Sequence, residues 1–388
     1  SLSHPSEPHI PSGAPPPPER MRTLFLRVLG ASMATFSSCR YAFSEKIERS
    51  HESQKKMANI SADYVVYRCV EGGRDRQLVP ASMEEMMDHF KRNTTRLIIM
   101  GEHHNDVVGH EIERLVYESL GNATLSLEMF CTDKQMIMNE YLNNLIPESA
   151  MEQECDIWPN YHTDYRPLVR YAKNRGLPVI CANTPKRYIT LNSSTIHKLS
   201  DRARKEFLPP IVYPASDDYS TKFVGIMRLM KSGEDMKTIL KRMYPQLLWD
   251  ATMGWKLVEA LDDAKTPKIL HICGSFHMAN WLGIPEQMDQ FLREYKHCED
   301  VDSGQAFRNL GVTALIMPVE HNVIQDIMRN PRALDEKEVR SLEFGLEGGG
   351  PWADWVIFTD IKRTEDAYAS MAALLRPKSS ASDTSSRY

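Results

Sequence analysis

Two tetrads of the form Gly-x-x-His hold the residue types in this chain best suited to chemistry. They are Gly101-Glu102-His103-His104, after Arg96-Leu97-Ile98-Ile99-Met100, and Gly274-Ser275-Phe276-His277, after Lys268-Ile269-Leu270-His271-Ile272-Cys273. A glycine at the end of a buried strand lets the backbone turn sharply, and the histidine three residues on projects from the next loop or helix start. In open α/β sheets ligands bind beyond the carboxyl ends of the strands, so two such histidines can converge on one crevice. Glu102, His104, Glu128, Asn183 and His277 all fall at or just past the end of a predicted strand. Two imidazoles with carboxylates suit a divalent transition metal such as Mn, Zn or Co. They equally suit a general base held in one tautomer by an acid, or the wall of a cofactor pocket. Spacing leaves the three open. His103 is expected to point away, because one of two adjacent loop residues faces a cleft. His110, one to two turns into the following helix, either reaches the same mouth or stands solvated on the helix surface.

The elements that must position these groups alternate along the chain. Residues 64–70 read as an edge strand, followed by a Gly72-Gly73 turn and a short strand at 77–79. Ser82-Met83-Glu84-Glu85 has the spacing of a capping box and opens a helix through Phe90. Strand 97–100 delivers the first tetrad. Apolar residues at Ile112, Leu115, Val116 and Leu120 give helical spacing over 107–120. A strand at 124–127 ends at Glu128, a helix spans 134–145, and another spans 165–174 before the Gly176-Leu177-Pro178 stop. Strand 179–182 ends at Asn183. Residues 200–263 lack strand signals and carry two or three amphipathic helices, the last over 245–261. The second tetrad precedes a helix at 285–295, and 312–318 and 355–359 read as closing strands. Charge-rich residues 319–350 read as a mobile loop. This alternation predicts an α/β fold, a mainly parallel sheet flanked by helices on both faces, with a helical insertion or cap subdomain. Its divisions are a core of 61–199 and 264–375, a cap of 200–263, and terminal segments of 1–60 and 376–388.

Bulk composition narrows the classes. Over 388 residues, 42% are hydrophobic and 26% charged, which suits a globular core. A net charge of −5 without any basic stripe gives no surface for nucleic acid. No run approaches the roughly 18 apolar residues that span a bilayer. Seven scattered cysteines, without a CxxC pair, fit a reducing interior, with Cys181 and Cys273 as apolar filler. Pro15 to Pro18 will stay extended. From Met21 the chain is rich in Arg, Ser and Leu and carries no acid until Glu45, a presequence pattern that points to the mitochondrion. A secretory signal is the alternative, under which Asn59, Asn93, Asn122 and Asn192 become glycosylation acceptors. The serine-rich last eleven residues read as a disordered tail.

The order of motifs resembles the ChaN-like haem-binding family, in the superfamily that also holds the Tiki proteases and erythromycin esterases. The resemblance is carried by Gly101-Glu102-His103-His104-Asn105-Asp106 with His110, then Leu127-Glu128-Met129-Phe130 and Tyr165-Arg166-Pro167-Leu168 with Tyr171-Ala172. Ala182-Asn183-Thr184-Pro185, Asp250-Ala251-Thr252-Met253, and Gly274-Ser275-Phe276-His277 with Gly283-Ile284-Pro285 complete it, over residues 80 to 320 or so. Asn105-Asp106 departs from the family's Asp-Asn order and moves the loop charge by one position. The resemblance implies haem in a cleft that two subunits can share as a homodimer, with His104, His110, Tyr165, Asn183 and His277 at the cofactor. It implies a tyrosinate ligand, for which Tyr161, Tyr165, Tyr213 and Tyr219 are the candidates. In the protease and esterase relatives the matching groups, Glu102, His104, Glu128 and His277, are catalytic or metal-binding. Three functions follow: an organellar haem-binding protein of ChaN type, a metal-dependent or acid–base hydrolase of esters or peptides, and a non-catalytic subunit of a mitochondrial membrane complex. Whether the chain is an enzyme stays open at this point.

Overall fold

A computed structural model of the chain describes residues 63–367, apart from 73–74, 193–194, 231–232, 264–265, 296–303 and 343–351. The expectations for the presequence and the serine-rich tail lie outside the described residues.

Nine strands form one sheet: β1 (Tyr64–Gly72), β2 (Asp75–Ala81), β3 (Leu97–Glu102), β4 (Thr124–Cys131), β5 (Val179–Asn183), β6 (Ile269–Gly274), β7 (Gly311–Val319), β8 (Leu334–Asp335) and β9 (Trp355–Asp360). Their order is β5-β4-β6-β3-β7-β9-β1-β2-β8. Pairing is parallel from β5 through to β9 and antiparallel from β9 to β8. The α/β class is as expected, but β1 is no edge strand, because β9 and β2 flank it. The dipeptide β8 takes that edge, too short to present a long unpaired row.

The helices are α1 (Met83–Lys91), α2 (Val107–Leu120), α3 (Gln135–Leu142), α4 (Glu148–Glu154), α5 (Arg166–Arg175), α6 (Asp201–Phe207), α7 (Asp217–Met230), α8 (Met236–Lys241), α9 (Met243–Leu261), α10 (Ile284–Tyr295), α11 (Gln305–Arg308), α12 (His321–Arg329) and α13 (Glu336–Leu342). The capping box at Ser82 forms as its spacing predicts, with Glu85 N–H donating to Ser82 Oγ and Ser82 N–H to Glu85. Residues 319–350 are corrected in part: α12, β8 and α13 occupy 321–342, and 343–350 fall outside the described residues. The charges there lie on short amphipathic helices that bury Ile324, Ile327 and Val339.

Strand alternation sends successive side chains to opposite faces. Ile98 and Met100 pack on one face with Val116 and Leu168, while Leu97 and Ile99 pack on the other with Leu257 and Met288. Both faces of β3 and β6 are therefore covered, which is why their sequences read as unbroken apolar runs. Residues 201–261 are helical wherever they have regular structure. Tyr219, Phe223, Val224, Ile239 and Leu247 make a small core of their own there, against Phe276 and Leu282. Cys181 and Cys273 are buried and free. No helix among the described residues is long and apolar enough to cross a membrane.

Candidate functional site

The two tetrads end on adjacent parallel strands. In the β3–β6 pairing Gly101 is opposite Cys273 and Glu102 is opposite Gly274. On the other side of β6, Leu127 of β4 is opposite Ile272, so Glu128 follows one residue later. Glu102, Gly274 and Glu128 thus stand side by side at the carboxyl ends of three neighbouring strands. Alternation gives Glu102 the face of Met100 and Glu128 the opposite one, so each carboxylate meets its own histidine.

On the first face Glu102 is buried, and its Oε1 lies 2.6 Å from His104 Nδ1 and 2.5 Å from the Tyr165 hydroxyl. Asp106 caps α2 by accepting from Val108 N–H, which starts the helix that brings in His110. His110 is buried, not solvated; its Nδ1 is 3.3 Å from Glu102 Oε2 and 3.1 Å from Glu113 Oε2. One π-helical turn, Tyr161–Tyr165, precedes α5 and presents Tyr165 to Glu102 and Asp164 to His110. Asn160 donates to the His104 carbonyl at 2.7 Å and to Asp164 at 2.8 Å. Burial opposes the charge on Glu102, but His110 and the bonds from both histidines hold its carboxyl well below 4.5. Burial likewise opposes the imidazolium of His104, and the Glu102 bond outweighs it and raises the pKa. His103 takes the other course: burial, then the neighbouring His104, push it down to about 4.

On the second face His277 Nδ1 lies 2.5 Å from Asp250 Oδ1, and its Nε2 lies 3.4 Å from Glu128 Oε1. Asp250 is a buried carboxylate on α9 that also accepts from the Tyr219 hydroxyl at 2.6 Å. Gln246, one turn earlier, places its amide nitrogen 3.3 Å from the His277 ring. Burial alone would discharge His277, but Glu128 and Asp250 raise it to about 10. Burial would raise Glu128, yet His277 and His104, with the Gly274 N–H donating at 2.6 Å, hold it at about 2.

The halves meet at Gly274. A Cβ there would lie 2.9 Å from His104 Nε2 and 3.6 Å from Glu128 Oε2. His104 is 34% exposed, so the mouth opens on its side. Trp158 meets His104 edge-on at 4.9 Å, and Trp249 lies 6.3 Å from His277.

The structure brings Glu102, His104, Glu128 and His277 together at one end of the sheet, with His110 and Tyr165 behind Glu102. Asn183 turns its side-chain oxygen back onto Thr184 N–H at 2.8 Å. The anticipated metal quartet pairs internally rather than converging. Among the described residues the three-residue set with ligand atoms within 4.8 Å of one another is Glu102, His110 and Glu113. The four candidate tyrosines are all raised above the ordinary phenol range, by burial first. Tyr165 and Tyr219 donate to carboxylates, Tyr213 to Glu294, and the Tyr161 hydroxyl is enclosed without a partner. Glu113, Asp164 and Gln246 are site residues that sequence reasoning missed, and Tyr219, named as a haem-ligand candidate, instead holds Asp250. The His110-x-x-Glu113 spacing, one helical turn, was a readable signal for the first of these.

A groove of about 660 Å³ lies elsewhere, lined by Thr132, Met136, Leu145, Arg202, Phe207 and Lys256 among others. None of the paired histidines or carboxylates lines it, so its size does not bear on them.

The chain is 24% identical over 187 residues to Protein RETICULATA-RELATED 5, chloroplastic, of Arabidopsis thaliana. That match takes in 45% of this chain and 25% of the relative, so the chain spans about a quarter of the length of the curated relative it matches. Among solved structures it is similar to ChaN of Campylobacter jejuni, described with cofacial haem binding, at a TM-score of 0.48 and 16% identity over 75% of this chain and 99% of that one. A Bacillus cereus protein aligns at a TM-score of 0.33 and 9% identity, over 79% of this chain and 97% of that one. The model of the haem-binding uptake family of the Tiki superfamily, ChaN, matches residues 90–288, just over half of the chain, and the chain belongs to that family.

Proposed function

We propose that the chain binds haem at the mouth between β3 and β6, where His104 would hold its iron. One observation carries this reading: His104 Nδ1 is held by Glu102 at 2.6 Å, while the ring is one-third exposed with Nε2 toward Gly274. A ligating histidine characteristically gives its other nitrogen to a carboxylate or carbonyl, which fixes the ring and raises its basicity. Histidine is also an established haem ligand. The four tyrosines are less suited, since burial keeps each phenol protonated. Bound haem would supply its iron centre. The chain supplies the nitrogen, the carboxylate behind it, the flanking Trp158 and Trp249, and the space that Gly274 leaves. A titration with haemin should raise a Soret band, and His104→Ala should abolish or shift it. One haem per two chains would place the cofactor in a cleft shared by a homodimer. A flat titration, or an unchanged His104→Ala spectrum, would remove the reading. Protein that takes no haem and co-purifies with a membrane complex would instead favour the subunit role.

A second reading, acid–base hydrolysis, is favoured by the clamp of His277 between Asp250 and Glu128. The ring is protonated near neutrality, so His277 would be the proton donor, while Glu128, ionised and held at about 2, is too weak a base and would hold the ring in place. Ester or peptide turnover lost on His277→Gln would support it, and no turnover with either class of substrate would dismiss it. For destination, the Arg- and Ser-rich segment from Met21 favours an organelle, with the mitochondrion preferred to the secretory route. The amino terminus of protein from its native source tests this: processing after a presequence is expected, and an unprocessed chain outside organelles would overturn it.

A further inference from the structure

Behind Glu102 the sheet encloses a second group of ligand atoms that the haem reading does not use. His110 and Glu113 are one turn apart on α2, and both are buried, as is Glu102. His110 Nε2 lies 3.1 Å from the His104 carbonyl oxygen, which commits that nitrogen as the donor. Its Nδ1 faces two carboxylates, Glu113 Oε2 at 3.1 Å and Glu102 Oε2 at 3.3 Å. One N–H cannot serve both. Glu113 Oε1 is enclosed without any hydrogen-bond partner, and Glu102 Oε2 has only the long His110 contact to share. Leaving buried carboxylate oxygens unmatched is expensive, so the pocket calls for a positive centre or a proton at that point.

We propose that Glu102, His110 and Glu113 form a buried site for one divalent transition-metal ion. Separations of 3.1 and 3.3 Å between donor atoms are the edges expected when ligands sit about 2.0–2.2 Å from a common centre. The Nε2 bond to a backbone carbonyl is the tautomer a histidine needs to ligate through Nδ1. One imidazole with two carboxylates suits Zn, Mn or Fe in the divalent state, and the set with the ion carries no net charge. Glu102 would then join the ion through Oε2 to His104 through Oε1, placing a fixed charge behind the exposed ring. The site stands on its own atoms, and the absence of haem binding would leave it untouched.

The test is metal analysis of the full chain, grown with and without added Zn, Mn and Fe and then reconstituted with each. About one equivalent per chain is expected, retained against a chelator in the folded state and accompanied by a rise in Tm. Glu113→Gln should lose the metal and the rise in Tm, while Glu111→Gln, on the same helix but paired with Arg114 near the surface, should keep both. Glu113→Gln preserves shape and can donate to Glu102, so it mimics a proton shared by the two carboxyls. Wild type without metal, with Glu113→Gln equally stable, would mean a shared proton and overturn the site. So would metal that survives Glu113→Gln or is lost in Glu111→Gln. If Glu113→Gln does not fold, Glu113→Asp takes its place, and wild-type stoichiometry by Mn spin resonance remains decisive.

Discussion

His277 and Asp250 come from elements 27 residues apart, yet Nδ1 and Oδ1 stand 2.5 Å apart inside the protein. Asp250 also holds the Tyr219 hydroxyl, so the helices before β6 orient the imidazole that follows it. Asp250→Asn would keep the shape and remove the charge. Removing one partner of a buried pair costs about 3–5 kcal/mol when the other charge is left uncompensated, and Glu128, still 3.4 Å from the ring, keeps the loss below that here. Glu128 remains, so the His277 pKa should fall from about 10 without reaching 6.5. An NMR titration of the His277 ring checks this, and an unmoved midpoint would show that Asp250 does not position it.

Two histidines of one strand and its loop should titrate far apart. His271, with Nδ1 on Ser126 and Nε2 enclosed, is lowered by burial to about 3, and His277 is raised to about 10. For His277 the folded value exceeds the ordinary 6.5, so its stabilisation is full below 6.5 and is lost as pH rises through 10. For His271 the folded value is lower, so the folded state is penalised as pH falls from 6.5 toward 3. The stability gap between wild type and His277→Gln should therefore narrow on the alkaline side only. A gap that is constant from pH 6 to about 10 would contradict the assignment.

Gly274 has φ −58° and ψ 141°, which alanine adopts freely, so backbone strain is not what selects glycine. The constraint is His104 Nε2, 2.9 Å from where a Cβ would sit. That nitrogen is the far end of a part-exposed ring and can swing away. Gly274→Ala should cost about 1–3 kcal/mol or less, and weaken haemin binding about tenfold, equivalent to about 1.4 kcal/mol. Equal haemin affinity with an unchanged Soret position would separate the mouth from His104.

The strands that carry the site were legible because β3 and β6 are apolar on both faces and reach a glycine at or next to their last residue. That the tetrads end on neighbouring strands, offset by one residue, was not legible, since parallel neighbours are chosen by crossovers remote in sequence. The structural role of Asp250 was hidden differently. It lies among Leu247, Leu248, Ala251 and Met253, where a carboxylate on a buried helix face is visible as an anomaly but its partner is not. β1 read as an edge because an antiparallel strand with mixed polarity resembles one, whichever neighbours cover it. α12 and α13 read as loop because charge density masked the spacing of Ile324, Ile327 and Val339.

Lys222 is a buried cation that holds the loop carrying His277. Its ammonium donates to the Phe276 carbonyl at 2.8 Å and the Ala279 carbonyl at 3.1 Å, and lies 4.6 Å from the Phe276 ring. The loop needs such a tie, since Asn280 and Trp281 follow at φ of 66° and 57°, where side chains are disfavoured. Lys222→Met would strand two carbonyls at about 1–3 kcal/mol each, offset in part by no longer burying an ammonium. Burial lowers the Lys222 pKa to about 8 against an ordinary 10.5. The folded state thus binds fewer protons between those values, and wild type should gain stability there as pH rises. The variant should lack that gain, and amides of residues 275–282 should exchange faster while those of β3 keep their protection. Unchanged exchange across the loop would show that packing alone fixes His277.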